Sequence, residues 1–305
     1  MPRRTSRLKG RWVLITGAGQ GLGRSLAVAF ADVGARIIVT DRDLDRVETT
    51  RRWLCRRGNA AVGVEMDVSC AESVRAARLE VMSRVGGLDV LVNNAGIVQG
   101  GLFTEVALEQ HLHTFNVNTH GPIRVVHAFL EDLLSSPVAH LVNIISASAL
   151  VGLPQASTYA ASKWAMLGFT ESIREELHRA GHLHAGVTAV CPSYISTGLF
   201  AGAKPPRFTR MLTPGTVARE VVRAVETRRT QLMLPRTVGL LPLARTLLPV
   251  TWARRLGDWM GIYDSMTGWR GRQAAEQDGR NNEAAEAARD SSEPSWVHPA
   301  VVSGS

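Results

Sequence analysis

Cysteine is nearly missing from this chain: Cys55, Cys70 and Cys191 are the only three in 305 residues. An odd count without Cys-x-x-Cys spacing argues against a disulfide framework or a zinc site and fits a reducing compartment. Lysine is equally scarce, with Lys9, Lys163 and Lys204 set against a large excess of arginine. There is no apolar run of membrane-spanning length. The basic start, Met1 to Lys9, is not followed by an apolar signal core. No internal repeat of solenoid period is found. The net charge of +8 comes without finger spacing or an aromatic–basic recognition motif, so no nucleic-acid partner is expected. What remains is globular in composition, 45% hydrophobic and 20% charged, with enough apolar residues for a large core. The expectation is a cytoplasmic protein with a basic lead-in over residues 1–9.

The first two thirds alternate short β-branched runs with longer helical patterns. Strands are predicted at Trp12–Thr16, Arg36–Thr40, Val62–Met66, Leu88–Val92, His140–Ile145, Gly186–Cys191 and Gln231–Leu234. Helices are predicted from Leu22 to Val33 and from about Leu44. Near-continuous apolar strands separated by helices imply an α/β fold whose parallel sheet is covered on both faces. After Pro235 the character changes. Pro235, Pro242 and Pro249 punctuate a leucine-rich stretch that continues through Trp252, Arg254, Arg255 and Trp259. Residues 273–305 are polar and alanine-rich, and they read as a disordered tail.

Between the first strand and first helix lies Thr16-Gly17-Ala18-Gly19-Gln20-Gly21-Leu22-Gly23. Strand, glycine turn, helix is the context that carries a dinucleotide: the backbone approaches a pyrophosphate, and helix N–H groups face its charge. The spacing is Gly-x-x-x-Gly-x-Gly, at Gly17, Gly21 and Gly23, rather than the strict Gly-x-Gly-x-x-Gly. Asp41, twenty residues after Gly21, can accept hydrogen bonds from ribose hydroxyls and would repel a 2′-phosphate. This favours NAD over NADP, while Arg42 beside it is the counter-signal. Asp67-Val68 follows the third strand, where adenine would lie, and Asp67 competes with Ser69 for a helix-capping role. Asn93-Asn94-Ala95-Gly96 follows the fourth strand, with side chains small enough for close approach to a cofactor.

Tyr159 and Lys163 are four residues apart in a helix-compatible stretch and so share a face. An ammonium beside a phenol favours the phenolate, which could bring a proton-exchanging tyrosine toward neutral pH. Lysine in an arginine-rich chain suggests a site that needs a compact, tunable cation. His178, His182 and His184 cluster near a predicted helix end; a helix C-terminus explains them better than a metal does. His111 and His113 read as surface residues, and no metal site is expected.

In order and spacing, these residues resemble the short-chain dehydrogenase/reductase family over roughly residues 10–235. The matching segments are Thr16-Gly17…Gly21-Leu22-Gly23, Asp67-Val68, Asn93-Asn94-Ala95-Gly96, Asn118, Ser146, Tyr159…Lys163 and Pro192…Thr197. The resemblance implies a Rossmann-like, doubly wound domain with seven parallel strands, nicotinamide-dependent hydride transfer, and a homodimer or homotetramer. It implies Tyr159 as acid/base, Lys163 holding the nicotinamide ribose, Ser146 bonding the substrate oxygen, and Asn118 supporting a proton path. Asn118 is preferred to Asn116, and Ser146 to Ser148 by its spacing from Tyr159. The implied cofactor contacts are Gly17, Gly21, Leu22, Gly23, Asp41, Asp67, Val68, Asn94, Ala95, Gly96, Tyr159, Lys163, Pro192, Ile195 and Thr197.

The chain has Pro192-Ser193 where the family often has Pro-Gly. That segment and the stretch from Leu234-Pro235 to Arg272 resemble the retinol and hydroxysteroid dehydrogenase branch. Catalytic residues are thus expected within 10–235. An apolar extension over 236–272 is read three ways: a core-covering helix pair, a lid on an apolar substrate pocket, or a surface meeting a membrane peripherally through Trp252, Trp259 and nearby arginines. All three suit a lipophilic alcohol or ketone. Two alternatives stay open: an NADP-dependent reductase of a more polar carbonyl, and a nucleotide-sensing protein without turnover.

Overall fold

Val13 and Ile15 point to one side of their strand and Leu14 to the other, yet all three are fully buried. Such a strand needs cover on both faces, and the computed structural model, which describes residues 6–207 and 209–271, supplies it. Seven parallel strands are described: β1 (Trp12–Thr16), β2 (Arg36–Asp41), β3 (Ala61–Glu65), β4 (Val90–Asn93), β5 (His140–Ile144), β6 (Gly186–Pro192) and β7 (Gln231–Leu234). Their order across the sheet is β3-β2-β1-β4-β5-β6-β7. On one face, α1 (Gly21–Asp32), α2 (Leu44–Arg56) and α7 (Pro214–Glu226) bury Leu26, Phe30, Val47, Leu54 and Val221 against Val13, Ile15, Ile37 and Val39. On the other, α3 (Ala71–Val85), α5 (Gly121–Leu134) and α6 (Ser157–Arg179) bury Val74, Val81, Phe129 and Leu177 against Leu14, Ile38, Leu91 and Leu141. The expected Rossmann-like, doubly wound architecture is therefore present.

The predicted strands fall within two residues of those observed. The fourth starts at Val90 rather than Leu88, directly after the Asp89 carboxylate. It accepts the Trp12 N–H at 2.8 Å and the Ser136 hydroxyl at 2.6 Å, fastening the start of β4 beside that of β1. Met66 lies just past β3, but its N–H still donates to Asp41 at 2.9 Å.

The strand order reverses between β1 and β4, whose carboxyl ends lie side by side. That switch point opens the crevice in which open α/β sheets place their ligands. A short α4 (Leu108–Phe115) and a π turn at Asn116–His120 lead into α5.

After β7, α8 (Leu240–Leu247) and α9 (Val250–Met260) form a helix pair separated by Leu248 and Pro249. Residues 261–271 then return across the molecule. The Ser265 carbonyl accepts the Lys204 N–H at 2.8 Å, and the Arg270 N–H donates to Ala201 at 2.9 Å. The Trp269 indole N–H donates to Leu199 at 3.1 Å. The extension thus reaches back to the loop between β6 and α7. The expected tail at 273–305, and most of the lead-in at 1–9, lie outside the described residues.

Candidate active site

A cleft of about 920 Å³ follows the carboxyl ends of the strands from β2 to β6. Gly17, Leu22, Gly23, Asp41, Asp67, Val68, Asn94, Ala95, Gly96, Ser146, Tyr159, Lys163, Pro192, Ile195 and Thr197 all line it. Of the residues proposed from sequence, Gly21 and Asn118 do not.

The glycine turn is welded to its neighbour. The Thr16 hydroxyl accepts the Asn94 and Ala95 N–H groups, both at 2.9 Å. The Asn94 amide donates to the carbonyls of Thr16 at 2.9 Å and Gly17 at 3.2 Å. This leaves no volume for side chains: a Cβ on Gly17 would come within 2.9 Å of the Ala95 Cα. A Cβ on Gly23 would overlap the Gly17 carbonyl and lie 2.6 Å from the Asn94 amide nitrogen. Gly21 acts on the turn instead, starting α1 with a positive φ of 55°. No side chain caps that helix start and no acidic residue occupies its first turn. Its exposed N–H dipoles suit an anion.

At one end of the cleft the Asp41 carboxylate is nearly buried and accepts the Gly19 N–H at 3.1 Å and the Asp43 N–H at 3.3 Å. Arg42 and Arg46 line the same end. Arg46 is paired with Asp43 at 3.0 Å. Asp67 does not cap α3. Its carboxylate closes a tight turn by accepting the Ser69 N–H at 2.8 Å and hydroxyl at 2.7 Å, and Cys70 is the residue preceding the helix.

At the other end Tyr159 and Lys163 face the cleft from the first turns of α6, and Ser146 faces it from the end of β5. Both Ser146 and Tyr159 also border a second, apolar lobe of about 100 Å³. Its wall includes Leu153, Phe200, Val238, Leu241, Met260 and Ile262. The Phe200 ring meets Tyr159 edge-on at 5.8 Å and Tyr194 at 5.1 Å.

Burial dominates the electrostatics of this end of the cleft. Burial pushes the Tyr159 phenol up to about 12, with the nearby Ser146 hydroxyl and, more weakly, the Ser148 hydroxyl acting the other way. Lys163 is held by a different partner. Its ammonium lies 5.7 Å from the Tyr159 ring centroid and donates to the Ile144 carbonyl at 3.2 Å. Burial lowers Lys163 itself to about 8. Four residues of helix bring the two side chains to one face.

Asn118 lies beneath the cleft rather than in its wall. Its carbonyl oxygen accepts the Ile97 N–H at 2.8 Å, and its amide donates to the Ile97 carbonyl at 2.9 Å and the Ser162 hydroxyl at 3.1 Å. It therefore ties the Gly96–Ile97 wall to α6 and has no donor left for a ligand.

His184 bonds the Leu134 carbonyl at 3.0 Å and stacks edge-on with His182, while His178 occupies the last turn of α6. His111 is half-buried against the Thr158 hydroxyl at 2.6 Å. His113, read as a surface residue, is exposed but also lines the cleft. Sequence reasoning also missed Ser193 and Phe200, which border both lobes, and Trp269, Arg270 and Gly271 of the returning segment. Ser193 carried a signal as the residue replacing an expected glycine, and Trp269, Arg270 and Gly271 lie in the stretch whose resemblance suggested a lid, without their being named for the site.

The chain is similar to known proteins in sequence and in fold. Epidermal retinol dehydrogenase 2 of Mus musculus is 33% identical over 265 residues, covering 86% of each chain. A short chain dehydrogenase/reductase from Burkholderia phymatum, solved in complex with NAD, superposes with a TM-score of 0.71 at 28% identity, covering 78% of this chain and 94% of that one. A gluconate 5-dehydrogenase from Burkholderia cenocepacia, solved with NADP and tartrate, gives 0.69 at 26% identity, covering 76% of this chain and 96% of that one. The family profile described as short chain dehydrogenase matches residues 11–207. With the glycine turn at the switch point and the Ser146, Tyr159 and Lys163 side chains gathered in one cleft, this chain belongs to the short chain dehydrogenase family of oxidoreductases.

Proposed function

We propose that this protein interconverts a lipophilic alcohol and its carbonyl, with NAD as the preferred cofactor. The observation that carries this reading is the shared wall. Tyr159 and Ser146 border both the large cleft and the apolar lobe, so a reacting oxygen between them meets a phenol, a serine hydroxyl and a cofactor at once.

The residues fit a dinucleotide. About 920 Å³ lies at the upper end of small-molecule sites. The glycine turn is bare where a Cβ would intrude, and the uncapped start of α1 suits a pyrophosphate. Asp41 would hold the adenosine ribose, Asp67 and Val68 the adenine, and Lys163 the nicotinamide ribose through donors not used on Ile144. Pro192, Ile195 and Thr197 would border the nicotinamide. When bound, the nicotinamide accepts or gives the hydride. The protein's own part is to place the substrate oxygen and move a proton. The high pKa keeps the Tyr159 phenol protonated at neutral pH, ready to donate to a nascent alkoxide. Its conjugate base serves the oxidation direction. Ser146 steadies the oxygen in both. Asn118 acts by holding the wall in place.

The NAD preference rests on the buried negative charge at Asp41, with Arg46 already engaged by Asp43. Asp41→Asn keeps an acceptor for the Gly19 N–H but removes the charge. It is expected to lower the ratio of kcat/KM with NAD to that with NADP by about tenfold, the equivalent of about 1.4 kcal/mol. An unchanged ratio counts against the assignment.

The lipophilic reading rests on the second lobe. It is walled by residues of the extension, Thr237, Val238, Leu241, Met260 and Ile262, so residues 236–271 complete a site begun by 10–235. About 100 Å³ admits only a few carbon atoms, so a longer substrate must emerge toward α8 and α9. There Leu243, Leu247, Val250, Trp252 and Trp259 are exposed beside Arg245, Arg254 and Arg255. Among the described residues, no helix is long and apolar enough to cross a membrane. Peripheral contact of a cytoplasmic homodimer or homotetramer with anionic lipid is part of the same proposal. Wild-type protein is expected to float with anionic vesicles, and Trp252→Glu with Trp259→Glu to stay behind at unchanged thermal stability. Equal flotation of both would remove the lipid contact.

Initial rates with NAD and NADP across retinoid, steroid, fatty and sugar alcohols, and the matching carbonyls, test the activity. Preference for a sugar, or no turnover of any alcohol or carbonyl, would overturn the reading.

A further inference from the structure

Ser148 is nine-tenths buried, and its hydroxyl has no hydrogen-bond partner. Its backbone, in contrast, is held on both sides. Its N–H donates to the Ser146 hydroxyl at 3.1 Å, and its carbonyl accepts the Trp164 indole N–H at 2.7 Å. A buried hydroxyl without a partner destabilises a fold, so its presence asks for a ligand. Ser148 borders the apolar lobe together with Ser146 and Tyr159, but it does not border the cofactor cleft. A molecule occupying that lobe can reach it. Its hydroxyl makes no bond that opposes rotation about χ1, so it can turn toward an incoming oxygen. It also lies near enough to the phenol to draw its pKa down, which puts it at the reaction centre rather than along the lobe.

We propose that Ser148 is a further catalytic residue: its hydroxyl donates a second serine hydrogen bond to the reacting oxygen of the substrate, sharing that oxygen with Ser146. This rests on the reading of Tyr159 as acid/base. An alkoxide oxygen has lone pairs for more than one donor. A donor that gains strength as negative charge develops raises kcat rather than substrate affinity. Ser146 accepts the Ser148 N–H and has a single O–H to give, so a second lone pair of the substrate oxygen is left for another donor.

The test is a double-mutant cycle on Ser146 and Ser148, using an alcohol the wild type turns over. Ser148→Ala is expected to lower kcat about 10- to 100-fold with KM changed less than about threefold. Its melting temperature should be unchanged or higher, since no existing hydrogen bond is lost. Ser148→Thr, which keeps the hydroxyl, should recover most of the rate. The double alanine variant should fall short of the product of the single effects, because both hydroxyls act on one oxygen. A Ser148→Ala kcat within twofold of wild type would overturn the proposal, and so would strictly multiplicative effects. Full turnover by Tyr159→Phe would instead defeat the underlying acid/base reading, whatever Ser148→Ala does.

Discussion

Tyr159→Phe is expected to lower turnover by about 10³-fold while leaving NAD affinity within a few-fold of wild type. General acid–base groups contribute on the order of 10²–10⁴, and here the phenol hydroxyl is the one removed. The ring remains, so its contact with Phe200 and its place in the apolar cluster around Leu153 and Met266 are retained. Thermal melting should therefore barely move. The pH dependence follows from the raised pKa. Below about 12 the phenol is protonated, so the proton-donating form prevails across neutral pH and is lost only as pH rises. Carbonyl reduction should accordingly persist at neutral pH, and alcohol oxidation should speed up from about pH 7 to 9 as the basic form grows. Stopped assays in both directions at fixed ionic strength measure this. Wild-type-like turnover in the phenylalanine variant, or oxidation that slows over that range, would remove Tyr159 from the proton path.

Gly23→Ala should abolish cofactor binding and cost several degrees of melting temperature. The new Cβ would overlap the Gly17 carbonyl and stand 2.6 Å from the Asn94 amide nitrogen. Both obstacles are rigid, since Gly17 is backbone and Asn94 is held by its bonds to Thr16 and Gly17. Overpacking of this kind costs about 1–3 kcal/mol. Relief requires the glycine turn to move away from Ala95, which carries the N–H dipoles of α1 off their line. Calorimetric titration with NAD and a thermal melt read the two effects. Gly152→Ala is the control, because a Cβ there meets nothing within 4 Å. If Gly23→Ala bound NAD with wild-type affinity, the turn would not be the pyrophosphate cradle.

These two residues differ in how far they could be read from sequence. Gly23 was recognisable because strand, glycine turn and helix are contiguous. The same holds for the strands themselves, whose β-branched runs are local patterns found within two residues of their observed ends. Asn118 shows the limit. Its place in the chain marks it out, but its role as a tie between Ile97 and Ser162 exists only once segments more than 20 residues apart have packed. Lys163 shows another. Helical spacing brings its side chain to the face of Tyr159, yet the Ile144 carbonyl, at the end of β5, accepts its ammonium.

The chain alone thus determined the sheet, the glycine turn and the shared face of Tyr159 and Lys163, because period and turn chemistry depend on neighbours in sequence. Three things waited for the tertiary structure. The first is the convergence of Ser146, Ser148 and Tyr159 on one lobe, and the second is the return of residues 261–271 to wall the cleft. The third is the phenol's high pKa, which comes from burial. Desolvation and convergence belong to the surroundings of a side chain, and those are made by packing segments distant in the chain.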